Sequence, residues 1–119
     1  MKDYSAMDDS SINMLVGESF GLVSYFINND SSVQFRNPKG YFNGTKNYCN
    51  NPADAWPIID ENNISIINDH PELRIATSSV NSLMNEIDSD CYFQAANENG
   101  IRAAMEVYLM MKYAEKDHG

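Results

Sequence analysis

No apolar run in this chain approaches the roughly 20 residues that a membrane-spanning helix needs, so no membrane-embedded protein is expected. Cysteine is nearly absent: Cys49 and Cys91 form a lone pair, and the opening Met1-Lys-Asp-Tyr-Ser5 has neither the basic nor the apolar region of a secretory signal. Two reduced thiols in a cytoplasmic protein are the expectation. Histidine is as scarce, with His70 and His118 isolated and no Cys-x-x-Cys or His-x-x-x-His spacing, so no metal site is expected. Glycines do not cluster before a helix; Gly40 and Gly44 stand too far from the helix start at Asn51 to form a phosphate loop. Basic residues are few, 8 against 17 acidic ones, and the net charge of -9 repels phosphate backbones and disfavours nonspecific nucleic-acid binding. The acids are dispersed and not gathered in a block, which reads as a solubility surplus and not as a mimic of DNA.

What is present is ordinary globular material. Of 119 residues, 43% are apolar and 11% aromatic, enough for one hydrophobic core and too few for two, so residues 1–119 are read as a single domain. Asp8, Asp9 and Ser10 offer caps for a helix with Ile12, Leu15 and Val16 at helical spacing, ending near Phe20 with Gly21 as its cap. Residues 22–27 and 32–35, rich in β-branched and aromatic side chains, flank the polar stretch 28–31 as a hairpin. Residues 36–49 carry Asn-Pro, Lys-Gly and Asn-Gly turn signals in succession and read as an irregular surface loop.

Asn51 caps a second helix with Pro52 at its first position and Asp54 at the third, where a capping-box acid would sit. Pro57 lacks the amide that would bond to Ala53, so a kink or a short turn is expected there. Ala55, Trp56 and Ile59 share one face, and Trp56 reads as a core anchor. Residues 64–67 and 73–77 form a second hairpin across the polar turn 68–71, and residues 91–95 add a third strand. Between them Val80, Leu83, Met84 and Ile87 fall at helical spacing among serines and acids, leaving a short helix or a loop open. Asn97 or Asn99 caps the last helix, whose residues Ile101, Ala104, Met105, Val107, Tyr108, Leu109 and Met111 cover more than one stripe. Either the first helix or a second copy of the chain would cover that extra apolar surface, so a homodimer is one candidate arrangement. Arg102 and Glu106, one turn apart, read as its polar edge. The sum is an α+β domain: an antiparallel sheet with helices packed on it, and a second half of helix, three strands and helix.

Two segments carry a resemblance. Cys49-Asn-Asn-Pro-Ala-Asp-Ala-Trp-Pro-Ile58 and Arg102-Ala-Ala-Met105, with the opening Met1-Lys-Asp-Tyr-Ser5 and Ile12-Asn13, resemble the NinX family of small proteins from lambdoid phages. Asn47 departs from that pattern, where an acid is expected, and so does Gly100, where proline would pre-organise the first turn. The resemblance implies an accessory role inside a bacterial host cell and brings no activity with it.

Chemistry is hard to find in the residues. Neither cysteine has a histidine near it in sequence, and the acid pairs Asp60 and Glu61 or Asp88 and Asp90 sit in polar surroundings that give no reason for a raised pKa. No catalytic residues, cofactor or enzymatic activity are therefore expected. The one anomaly is residues 31–53, which hold no Asp or Glu but contain Arg36, Lys39 and Lys46 interleaved with Tyr41, Phe42 and Tyr48. Such cations and aromatics anchor protein interfaces or stack on bases. The first reading is a module that docks on a host or phage protein, with inhibition of a host defence factor as one form. The second is a nucleic-acid or nucleotide binder using the loop 36–48.

Overall fold

Asp8 accepts a hydrogen bond from the Ser11 amide at 3.0 Å and opens α1 (Asp9–Ser19), which Phe20 and Gly21 close, the latter at φ +85°. The computed structural model describes residues 3–70, 73–78 and 93–118, the side chains of 68–70 and 114–118 excepted. A single 3-10 turn, Tyr4–Ala6, precedes α1. Three strands follow: β1 (Val23–Ile27), β2 (Val33–Arg36) and β3 (Phe42–Lys46), antiparallel in the order β1-β2-β3.

The third strand corrects the reading of residues 36–49 as an irregular loop. Asn37 holds the connection from β2 as a tight turn: its side chain accepts from the Lys39 and Tyr41 amides, and its own amide bonds to the Tyr41 carbonyl at 2.8 Å. Asn43-Gly44, the third turn signal, is no turn. The register steps from Gln34↔Thr45 to Arg36↔Phe42, so β3 carries an extra residue there, and Gly44 at φ +100° takes a conformation that other residues avoid.

In the second half, α2 (Pro52–Glu61) begins as read, with Asn51 accepting from the Ala53 amide. The helix runs unbroken through Pro57. Asp54 does not close a capping box; it accepts from the Asn47 amide at 2.9 Å, tying the incoming chain to the helix start. Strands β4 (Ser65–His70), β5 (Leu73–Thr77) and β6 (Gln94–Asn97) form a second antiparallel sheet in that order. Here β4 extends through residues 68–70, which were read as turn, and β6 starts at Gln94 and takes in Asn97, one of the two expected caps. Asn99 alone caps α3 (Gly100–His118), accepting from the Ile101 amide at 3.0 Å. Residues 80–87, Cys91, Asp88 and Asp90 lie outside the described residues.

The layers follow from which faces are apolar. The first sheet lays Val33 and Phe35 on α1, α1 packs on α3, and α3 covers the second sheet and also meets α2. So α3 is the central helix, and its own chain covers the apolar sides that had raised the question of a second copy. Gly100 permits a close approach: a Cβ there would press on Ile66 and Arg74 of the sheet. That explains the departure from proline.

Arg102 and Glu106 are the largest correction. Both are buried, at 5% and 1% exposure, and neither forms a polar edge. The Arg102 guanidinium donates to Glu106 Oε2 at 2.9 Å, to Asp9 Oδ1 at 2.6 Å, and to the backbone carbonyls of Tyr4 and Met7 at 2.8 and 2.6 Å. Spacing along one helix predicts the Glu106 contact; the other three come from segments more than ninety residues away.

Gly17 faces Phe35 at the seam between α1 and the first sheet, where an added Cβ would overlap the fully buried ring. Gly17→Ala should therefore lower stability despite the better helix propensity of alanine, overpacking costing about 1–3 kcal/mol. A urea midpoint equal to or above that of the parent would show that the ring has room to move.

Candidate functional site

Alternation along β2 sends Val33 and Phe35 into the core and Gln34 and Arg36 outward. The register then fixes the outer face of the first sheet: Val23, Arg36 and Phe42 form one row across the three strands, and Phe26, Gln34 and Thr45 the next. A bulge in β1 inserts Tyr25 between them. This face is apolar and open, with Phe26 at 55% and Phe42 at 62% exposure, and Val23 and Tyr25 exposed beside them.

Polar groups on the face are held in place. The Arg36 guanidinium lies 4.1 Å from the centroid of the Tyr25 ring, within cation–π range. The Tyr25 hydroxyl donates to Gln34 Oε1 at 2.8 Å, Gln34 Nε2 donates to Asn28 Oδ1 at 3.0 Å, and Asn28 Nδ2 donates to Ser32 Oγ at 2.9 Å. Arg36 has no carboxylate partner among the described residues.

The six residues singled out in the sequence do not stay together. Arg36 and Phe42 share the outer face, and Lys39 and Tyr41 are exposed at the turn between their strands. Lys46, paired across from Val33, lies in the opposite row, 3.7 Å from Asp54. That partly exposed pair contributes at most about 1 kcal/mol, but it withdraws the third cation from the face. Tyr48 is a core residue at 4% exposure, its ring 6.4 Å from that of Phe35. Val23, Tyr25 and Phe26 were read only as strand. Their signal was a strand apolar at consecutive positions with no alternation, which leaves one side of it uncovered.

Trp56 is the other reversal. The buried stripe of α2 is Ala55, Ile58 and Ile59, and Trp56 stands beside it at 57% exposure, on a shallow groove of about 240 Å3 that also touches Asp60 and Asn63. Cys49 is fully buried; burial pushes its thiol up to about 12, with the Asp9 carboxylate adding and Arg102 opposing. A thiol kept protonated in this way is a poor nucleophile at neutral pH. Burial likewise pushes the Tyr48 hydroxyl up to about 12, Asp54 adding to it. Among the described residues no group of three His, Cys, Asp or Glu side chains is arranged to hold a metal ion, and no helix is long and apolar enough to cross a membrane.

The site is thus one open aromatic face on the first sheet of an α+β fold. The family described as Bacteriophage P22, NinX matches residues 3–112, and the chain belongs to that family. It is a phage accessory protein. No curated protein and no solved structure matches the chain.

Tyr48 and Cys49 tie stability to alkaline pH. Their folded pKa values, each about 12, lie above the ordinary 10.0 and 9.0, so the fold favours both neutral forms. The stability this brings is fully present below about pH 9 and is lost as pH rises toward 12. The urea midpoint should be flat around neutrality and fall above pH 9, and Tyr48→Phe should make that fall shallower. A midpoint independent of pH up to 11 would contradict the burial of these two groups.

Proposed function

We propose that this phage accessory protein is a non-enzymatic binding module that docks on a host or phage protein in the cytoplasm of the infected cell, through the outer face of its first sheet. The observation that carries this is the exposure of Phe26 and Phe42 on the same face as an Arg36 fixed on Tyr25. Soluble proteins rarely leave contiguous aromatic surface open without a use for it, and aromatic residues with arginine dominate the energetics of protein interfaces. Inhibition of a host defence factor is one outcome such docking supports.

The same residue types could stack on bases, and a nucleic-acid platform is the second reading. Its weakness is charge. With Lys46 turned toward Asp54, the face keeps only Arg36 and the nearby Lys39, in a chain of net charge -9. Tracking a phosphate backbone takes several cations, and each contact adds to the salt dependence.

Tagged protein would be used to capture partners from infected and uninfected lysates at low and high salt with a nuclease control, alongside the double variant Phe26→Ser, Phe42→Ser. The expected result is one protein, retained at high salt and after nuclease, that binds the purified parent at least about tenfold more tightly than the variant. Equal binding by the variant would remove this face from the account. Recovery of nucleic acid alone, lost steeply with salt, would establish the second reading instead.

A further inference from the structure

Arg36 poses a question that the docking reading leaves open. Its guanidinium is exposed, stacked on the Tyr25 ring, and donates no hydrogen bond among the described residues, whereas buried Arg102 makes four. An exposed arginine side chain normally samples many rotamers, and ordering one at an interface costs conformational entropy. Here much of that ordering is already made. Tyr25 is locked by Gln34, Gln34 by Asn28 and Asn28 by Ser32, so the shelf beneath the guanidinium is itself a hydrogen-bonded chain. The planar fork, exposed and with no hydrogen-bond partner among the described residues, keeps its donors available to a bidentate acceptor.

The charge around it is as selective. β1, β2 and β3 contain no Asp or Glu, in a chain that carries 17 of them. Arg36 therefore has no carboxylate of its own sheet to meet. Apolar side chains flank it in its own row, Val23 on one side and Phe42 on the other, with Phe26 in the next. Beyond Tyr25 an open groove of about 300 Å3, lined by Met14, Ser24, Tyr25, Phe26 and Ile27, has room for an apolar side chain.

We infer that the Arg36 guanidinium on its Tyr25 shelf is a receptor for a carboxylate, and that the partner of this face is a protein segment presenting one Asp or Glu flanked by apolar side chains. This rests on the docking reading above and names the chemistry of what docks. One fixed fork among apolar neighbours matches a single carboxylate, whereas a nucleic-acid strand would bring a phosphate at every nucleotide to a face with one ordered cation.

A library of random twelve-residue peptides, displayed and selected against the purified chain, tests it without knowledge of the natural partner. The parent should enrich peptides with one Asp or Glu between apolar residues, and converting that acid to its amide in the best peptide should weaken binding about tenfold or more. Arg36→Glu should enrich Lys or Arg at the same place, and Arg36→Gln should lose the preference. Both variants alter an exposed side chain, and amide spectra matching the parent would establish that they fold. If Arg36→Glu enriched the same acidic peptides, or if nothing were enriched, the inference would fall. A consensus without an acid, lost in Phe42→Ser, would overturn the carboxylate receptor while leaving the docking face in place.

Discussion

One buried guanidinium holds the layers of this protein together. Arg102 projects from the central helix and satisfies two carboxylates and two backbone carbonyls, from its own helix, from the start of α1 and from the segment ahead of it. A point charge on a flexible stem could not do this; the planar fork can, because its donors diverge in one plane. Burial by itself would lower the pKa of Arg102, but the carboxylates of Asp9 and Glu106 outweigh it and hold the group firmly charged. For Glu106, burial prevails over Arg102 and pushes the carboxyl up, and its Oε1 has no hydrogen-bond partner. Ionic groups buried in this way add little net stability compared with a well-packed apolar core, yet removing one partner strands the other. What the cluster supplies is geometry: the first turn and α1 have one seat on α3.

Asparagine extends that geometry to the first sheet. Asn13 on α1 donates to the Ser31 carbonyl and to Asn47 Oδ1, and accepts from the Cys49 amide at 2.9 Å. Asn99 at the start of α3 donates to the Cys49 carbonyl at 2.7 Å and to Asn50 Oδ1 at 3.0 Å. The turn after β3 is thus clamped between the two helices. With Phe35 seated against Gly17 on one side of the sheet, the other side is free to present Val23, Tyr25, Phe26, Arg36 and Phe42 on a rigid support. The inner side of the sheet does the holding, and the outer side is the proposed recognition surface.

The sequence made local features legible and long-range ones opaque. The cap at Asp8, the stop at Phe20 and Gly21, and Asn51 before Pro52 depend on contacts within four residues, and each appears where the local chemistry put it. Asn37-Pro and Asn43-Gly look equivalent as turn signals, but one opens the turn of a hairpin and the other sits at a bulge; each has a glycine at positive φ, Gly40 in the turn and Gly44 in the bulge, and only pairing with β2 tells them apart. Trp56 stands one residue after Ala55, at the border of the apolar stripe, where helical periodicity does not decide between core and solvent. Arg102 and Glu106 were read as a solvated pair because an i,i+4 spacing carries no information about three acceptors brought in by the opposite end of the chain. Of the candidate site, the acid-free stretch spans the hairpin of β2 and β3 but included Lys46, which pairs across from Val33 on the inner side, and Tyr48, buried beyond the end of β3, and it left out the β1 residues beside the hairpin.

Sequence, fold and surface therefore meet at Arg102, since the proposed docking face is rigid only if the layer carrying it is fixed to the rest. Arg102→Lys tests this most directly, because it keeps the charge and nearly the length of the side chain while removing the fork. Measured by urea unfolding, the account predicts a loss of about 3 kcal/mol or more, the scale of a broken buried ion pair. A loss below about 1 kcal/mol, the scale of an exposed pair, would mean that the layers are held by apolar packing alone and that the ion cluster is incidental.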